Sequence, residues 1–202
     1  MSIVRVGGSQ LFWRIKRLSD LGISILLLPV LGIVGLALWL LNPWVNPGPL
    51  LYRQRRVGRH HRLFVMVKFR TMRPDKGQAK FADAESHRIT RFAAVLRRFR
   101  IDELPQIINV LRGEMSLIGP RPEQPEFVRQ YCKSLPGYHH RHIIRPGLSG
   151  LSQVVQGYTS DDQGTRTKLA LDLRYIAKSG FRMEAYVFWR TLVTVLTGYG
   201  AM

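Results

Sequence analysis

The chain has 202 residues, with 31 Lys+Arg against 13 Asp+Glu and a formal net charge of +18. That length suits one domain with a real core and hardly two, so residues 1–202 are expected to form a single domain. The charge argues against an ordinary soluble enzyme surface and leaves three kinds of partner: nucleic acid, anionic membrane lipids or phosphorylated substrates. Cys132 is the only cysteine, which excludes an intrachain disulfide.

From Leu21 to Leu41 the chain carries no charge. As a helix, such a run of about 21 residues reaches about 31 Å, enough to cross a hydrocarbon core and too long for the apolar part of a signal peptide. Arg14, Lys16 and Arg17 precede it, and Arg53, Arg55, Arg56 and Arg59 follow it. Basic flanks favour the cytoplasmic side, and here both flanks ask for it. Pro29, near the middle of the run, removes a backbone donor and crowds the carbonyl of Ile25. Ser24, one turn back, could satisfy the freed backbone groups. The reading that reconciles these features is a re-entrant helix hairpin over residues 12–42, broken at Pro29, rather than a single span. Both termini would then be cytoplasmic, and Trp13, Trp39 and Trp44 would anchor the hairpin at the interface.

Asn42 to Pro49 (NPWVNPGP) is a turn-rich exit. Leu51 to Val57 and Leu63 to Thr71 read as a β-hairpin whose loop contains His60 and His61 as turn residues. Pro74 to Glu85 reads as a loop. Ile89 to Arg100 places Ile89, Phe92, Leu96 and Phe99 at helical spacing with arginines elsewhere on the wheel. Such a basic amphipathic helix suits a headgroup layer, or equally a lid over the domain's own core. Further helices are expected at 126–135 and 168–178. Residues 182–196 form an aromatic, amphipathic segment that could touch the membrane. The expected fold is therefore α+β and mostly helical: a re-entrant hairpin, a small β-hairpin and interfacial amphipathic helices.

The densest cluster of unusual residues is Arg97 to Pro122. Asp102 and Glu103 precede Pro105, which is well tolerated in a first helical turn. With a helix beginning near Leu104, both acids would sit at its positive end, a place that also receives phosphate. Simple helix capping explains an isolated D-E-x-P, but this one has Arg97, Arg98, Arg100, Arg112 and Arg121 around it, and Lys68 and Arg70 in the preceding hairpin. Guanidinium groups match phosphate oxygens in pairs, and lysine adds a compact charge. Two acids among many cations beside a membrane fit phosphoryl chemistry, in which one carboxylate attacks and the other helps hold Mg²⁺.

Taken in order, Lys16-Arg17 with Asp20, GPLLYRQRRVG (48–58), KFRTM (68–72), RIT (88–90), IDELPQIINVLRGEMSLIGPRP (101–122), RPGLSGLSQV (145–154), LDLRYI (171–176) and Gly200-Ala201 resemble the bacterial sugar transferases. These are the monotopic phosphoglycosyl transferases, and the resemblance is to their minimal catalytic form, without the extra N-terminal membrane helices of the long members. It implies transfer of a hexose 1-phosphate from a UDP-sugar to undecaprenyl phosphate with release of UMP. This is the first membrane step of exopolysaccharide, O-antigen, capsule or glycoprotein glycan assembly, at the cytoplasmic face of the bacterial inner membrane.

By the same resemblance Asp102 would be the nucleophile that carries the sugar phosphate, and Glu103, with Asp102 beside it, would bind Mg²⁺. Lys68, Arg70, Arg97 and Arg121 would hold phosphate or nucleotide, and Arg141 and Arg145 are looser candidates for that role. Pro29 matches the break in the family's membrane helix. Leu28, Ala93, Arg100 and Glu114 depart from the family pattern, Arg100 standing where a small polar residue is usual.

A nucleic-acid module, suggested by charge alone, leaves the apolar run and the acid pair unexplained, so no nucleic acid is expected. A membrane-anchored scaffold gives the acid pair no task. Adjacent carboxylates are also poorly placed for a glycosidase, whose two acids flank one bond from opposite sides. Sugar choice is expected in the loops at 74–85 and 157–167. A homodimer is left open, since an amphipathic face could meet either lipid or a second subunit.

Overall fold

The computed structural model describes residues 5–72, 89–156 and 162–197. The loop expected at 74–85, Arg88 of the RIT motif and the terminal Gly200-Ala201 lie outside them, as does the first part of the 157–167 segment.

The apolar run is two helices, α1 (Gln10–Leu26) and α2 (Leu28–Val45), meeting at Leu27. Ser9 caps α1 by accepting a hydrogen bond from the Phe12 amide, at 3.1 Å. Pro29 falls in the first turn of α2, where its missing N–H costs no internal bond. Leu27 donates back to Ile23 and accepts from Leu31, so the ladder is kept on both sides of the break. Ser24 is buried at this junction, but its hydroxyl makes no hydrogen bond among the described residues, so the expected rescue of freed backbone groups does not occur.

Both arms dock on one body. The inner stripe of α1 is Phe12, Lys16, Asp20 and Ser24, one residue per helical turn. Leu38 of α2 packs with Phe69 and Leu96, with Leu31 and Val34 alongside. The remaining surface of α2 is apolar and open: Ile33, Leu36, Trp39 and Trp44 are all exposed. With 18 residues and a mean hydropathy of 1.8, α2 is long and apolar enough to enter a membrane. Trp39 and Trp44 suit interfacial anchors, but Trp13 does not. It is half-buried, donates to the Gly7 carbonyl at 3.1 Å and meets Phe12 edge to face.

β1 (Leu51–Val57) and β2 (Leu63–Phe69) pair antiparallel from Leu51 opposite Phe69 to Val57 opposite Leu63. His60 and His61 turn the chain with φ of 53° and 58°. Strand β2 ends at Phe69, two residues before the expected Thr71, although the Arg70 amide still donates to the Leu50 carbonyl at 2.9 Å.

α3 (Arg91–Arg98) starts at the Thr90 cap and buries Ala93 and Leu96, so it lies over the domain's own core while Val95 and Phe99 face outward. A 3₁₀ turn (Ile101–Gln106) leads into α4 (Ile107–Leu111). The acid pair is thus inside the first turn of a 3₁₀ segment, not before a helix starting near Leu104.

β3 (Ser116–Ile118) pairs in parallel with β4 (Gly147–Ser149), a contact no local pattern announced. Between them lie α5 (Pro125–Ser134) and a 3₁₀ turn (Tyr138–His142). After them come α6 (Leu151–Val155), α7 (Asp162–Ala177) and α8 (Phe181–Thr197). Ile118, Ile144, Leu151, Val154, Tyr175, Ile176 and Val187 form the central core among these elements. α8 leaves Phe188, Trp189 and Leu196 exposed. The chain is α+β and mostly helical, as its patterning predicts.

Candidate active site

Three polar residues of α1 fasten the N-terminal helix pair to the body on which the acids sit. Asp20 accepts from the Ser116 hydroxyl at 2.7 Å and the Leu117 amide at 3.1 Å. Arg17 donates to the carbonyls of Val110 and Leu111 at the end of α4. Lys16 pairs with Glu184 of α8 at 2.7 Å. The Lys16-Arg17…Asp20 motif therefore joins the apolar arm to α4 and β3, which follow the acid pair, and to α8.

Asp102 and Glu103 are both buried, at 6% and 5% exposure. Arg100, which precedes their turn, adopts a left-handed conformation (φ 56°, ψ 20°) that non-glycine residues seldom take. The turn brings its guanidinium to 3.6 Å from Glu103. The departure from a small residue at position 100 thus adds a cation to the site. Arg121 donates to Glu103 at 2.5 Å.

Burial opposes ionisation of Glu103, but Arg121, Arg100 and Lys68 outweigh it and hold the carboxyl down to about 2. Asp102 moves the other way. Burial first, and then the charge of Glu103, push it up to about 6 against the opposing pull of Lys68, Arg97 and Arg121. Lys68 is pushed down to about 8, by burial and by Arg121 and Arg56, with Glu103 and Asp102 resisting. The two adjacent carboxylates are set apart: Glu103 is held as an anion well below the usual range, and Asp102 is raised above it yet mostly ionised at pH 7.

Arg121 is placed by backbone clamps. Gly119 and Gly147 touch backbone to backbone, and a Cβ on Gly147 would stand 2.1 Å from the Gly119 nitrogen. The Gly119 amide donates to Ser149 and the Gly147 amide to Pro120. Arg141 holds the Arg121 carbonyl at 3.0 Å and Arg56 holds the Pro122 carbonyl at 3.1 Å.

Of the expected site residues, Lys68, Arg97 and Arg121 converge electrostatically on the dyad. Arg70 is not brought there. Its guanidinium is spent on carbonyls of the exit loop, those of Pro49, Asn46 and Pro47, and on the Asn46 side chain. Arg141 is also diverted: at 3% exposure it pairs with Asp172 at 2.6 Å and donates to the Tyr138 hydroxyl at 2.7 Å. Its connection to the site runs through the Arg121 carbonyl. Arg145 donates to the Gly113 carbonyl and lines a cavity beside α1. Spacing could not separate these arginines from the others, because the carbonyls and the acid that take them up are distant in sequence.

Gln106 also belongs to this turn, and the motif reading does not single it out. It is 1% exposed with an amide Nε2 that has no partner among the described residues, and it sits one 3₁₀ turn beyond Glu103, where side chains three apart eclipse. Its place three residues after Glu103 was the available signal.

The donor chemistry suits Mg²⁺, which commonly takes one or two carboxylates and completes its shell with water and substrate phosphates. Asp102 and Glu103 would supply the carboxylates. Among the described residues no third acid, histidine or cysteine joins them in a group that could hold a metal unaided.

Relatives of known name share this chain's sequence over most of its length. It is 43% identical over 195 residues to the UDP-N-acetylgalactosamine-undecaprenyl-phosphate N-acetylgalactosaminephosphotransferase of Aeromonas hydrophila, covering 96% of the chain and 46% of that protein. It is 37% identical to the exopolysaccharide production protein PSS of Rhizobium leguminosarum bv. phaseoli, covering 91% of the chain and 96% of the relative. It is 38% identical to the UDP-glucose:undecaprenyl-phosphate glucose-1-phosphate transferase of Caulobacter vibrioides, covering 90% and 70% respectively. The chain thus spans less than half of the Aeromonas protein and nearly all of the Rhizobium one. Residues 11–198, which hold the docked membrane arm, the acid dyad and the Arg121 clamp, match the family described as bacterial sugar transferase, and the chain belongs to that family.

Proposed function

We propose that the protein transfers a sugar 1-phosphate from a UDP-sugar to undecaprenyl phosphate through a covalent intermediate on Asp102. The observation that carries this reading is the buried acid pair with Arg100 and Arg121 on Glu103 and with the charges of Lys68 and Arg97 acting on Asp102. The names of the relatives supply the substrate classes.

In the first step an ionised Asp102 oxygen attacks the β-phosphorus of the UDP-sugar. The P–O bond to UMP breaks, and the departing electron pair leaves with the UMP phosphate. In the second step a phosphate oxygen of undecaprenyl phosphate attacks the same phosphorus, the bond to Asp102 breaks, and the carboxylate is regenerated. Lys68, Arg97 and Arg121 neutralise the charge on the transferring and leaving phosphates. Mg²⁺ held by Glu103 and Asp102 would supply further charge neutralisation on the diphosphate. Arg121 and Arg100 keep Glu103 ionised and in place throughout.

The membrane reading is that residues 12–42 enter and leave the same leaflet, with the catalytic body and both ends of the chain on the cytoplasmic side. Docking of both arms on one body supports it, as do the basic residues on both flanks. A lipid-linked acceptor would then meet the dyad without leaving its leaflet.

The test is UMP release from a panel of UDP-sugars with undecaprenyl phosphate and Mg²⁺, together with intact-mass analysis. A sugar-phosphate adduct on the wild type that is absent in Asp102→Asn is the expected result. Turnover by Asp102→Asn at the wild-type rate would exclude the mechanism. The relatives act on different sugars, so the panel also identifies the donor. Cysteine labelling at positions 5 and 60 should find both on the cytoplasmic side, and opposite sides would exclude the re-entrant path.

A further inference from the structure

The N-terminal half of α1 forms one wall of a cavity of about 530 Å³ that includes none of Lys68, Arg97, Asp102, Glu103 or Arg121. Five cations line it, namely Arg14, Lys16, Arg17, Arg59 and Arg145, against the single acid Asp20. Lys16 is balanced by Glu184 at 2.7 Å and by Asp20 at 4.0 Å. Asp20 is itself occupied by Ser116 and Leu117.

Three of the four arginines are oriented by carbonyls, and none of the four is neutralised by a carboxylate among the described residues. Arg17 is fixed by the Val110 and Leu111 carbonyls, Arg59 by that of Ile143 and Arg145 by that of Gly113. None of the four arginines has an ion pair with a carboxylate among the described residues. Burial and the neighbouring charge of Arg17 both press on Arg145, with Asp20 resisting. Guanidinium groups held close together by neutral carbonyls repel one another until an anion with several oxygens joins them.

Position indicates which anion. Arg17 and Arg14 precede Leu21 by about 6 and 10 Å of helix rise, and a headgroup layer extends about 5–8 Å beyond the hydrocarbon. Both side chains reach that layer when the apolar run is embedded. Leu11, Ile15 and Leu18 are exposed on the same helix, giving it an apolar outer surface beside the cavity. We propose that this cavity seats the phosphate of an anionic phospholipid headgroup, apart from the dyad, and so fixes the depth at which α1 meets the membrane. The proposal rests on the membrane reading given above.

The experiment uses the full chain in phosphatidylcholine micelles doped with phosphatidylglycerol, and native mass spectrometry to count retained lipid. The wild type should retain one phosphatidylglycerol in preference to phosphatidylcholine. Arg14→Gln with Arg59→Gln should weaken that retention about fivefold per arginine removed. Arg53→Gln with Arg55→Gln, an equal loss of charge outside the cavity, should leave it unchanged. Arg14→Gln alone carries the test if the double variant does not fold.

Equal retention of both lipids, or equal loss in the control variant, would overturn the proposal in favour of diffuse attraction. Displacement of the lipid by inorganic phosphate would overturn it in favour of a soluble anion. Flotation of the wild type with phosphatidylcholine vesicles separates the two readings. Flotation without phosphatidylglycerol preference removes only this proposal, and no flotation removes the membrane reading with it.

Discussion

Asp172→Asn removes one charge from the most deeply buried ion pair among the described residues without changing side-chain shape. Asp172 and Arg141 are 1% and 3% exposed and 2.6 Å apart, and the second Asp172 oxygen accepts from Ser152 at 2.9 Å. After substitution the guanidinium of Arg141 stays buried, with Glu123 as its nearest remaining acid at 3.9 Å. Breaking such a pair from one side costs about 3–5 kcal/mol. Glu123 places the expected loss near the lower end, about 3 kcal/mol, which lowers Tm by about 6–12 °C for a chain of this size. Thermal unfolding in detergent micelles, followed by tryptophan fluorescence, measures it. UMP release well below both melting points should fall as well, because Arg141 also holds the Arg121 carbonyl. The hydrophobic replacement Arg141→Met with Asp172→Leu should recover much of the stability but not the activity. A Tm shift below about 2 °C for Asp172→Asn would mean that Glu123 alone neutralises Arg141, and the reasoning would fail.

Activity should also report the two shifted groups of the site. Asp102 must be ionised to attack and burial raises its carboxyl to about 6 in the metal-free site, so at limiting Mg²⁺ kcat/KM should fall as pH drops through that value, about tenfold per unit, and saturating Mg²⁺ should move the fall to lower pH. Lys68 binds phosphate as a cation and is lowered to about 8, so KM for the UDP-sugar should rise above that pH. A profile flat down to about pH 4.5 at limiting Mg²⁺ would remove Asp102 as the titrating nucleophile. Gly147→Ala forces a methyl group onto the Gly119 backbone and should destabilise the protein by about 3 kcal/mol or more, read as a lowered Tm. Arg70→Lys should lower stability by about 1–2 kcal/mol through lost carbonyl contacts, while KM for the UDP-sugar stays unchanged. A KM effect with no stability loss would return Arg70 to phosphate binding.

Local patterns were a good guide wherever one residue type has one physical use. The uncharged run with Pro29, the strand-like runs 51–57 and 63–71, and the arginine-rich wheel of 89–100 each led to an element found there, the last two with shorter bounds. The acid pair was legible as a site because two acids amid so many cations are costly without a task. The expected helix start was displaced because Arg100 takes a left-handed turn, which opens a 3₁₀ segment before α4 can begin. Trp13 was misplaced because an amphipathic side chain next to an apolar run reads alike whether it meets lipid or the Gly7 carbonyl.

The sequence by itself determined the composition of the machinery: a proline-broken apolar arm, a dyad, and more cations than one site needs. It could not assign those cations, since the use of an arginine depends on what stands at its far end. Tertiary structure made the division. Lys68, Arg97, Arg100 and Arg121 meet the acids, and Arg70 and Arg141 are consumed by distant carbonyls and by Asp172. The parallel contact of Gly119 with Gly147 was likewise decided only in three dimensions, because 28 positions separate two glycines that local sequence gives no reason to pair. That contact fixes the backbone of Arg121, and Arg121 in turn keeps Glu103 ionised beside the raised carboxyl of Asp102.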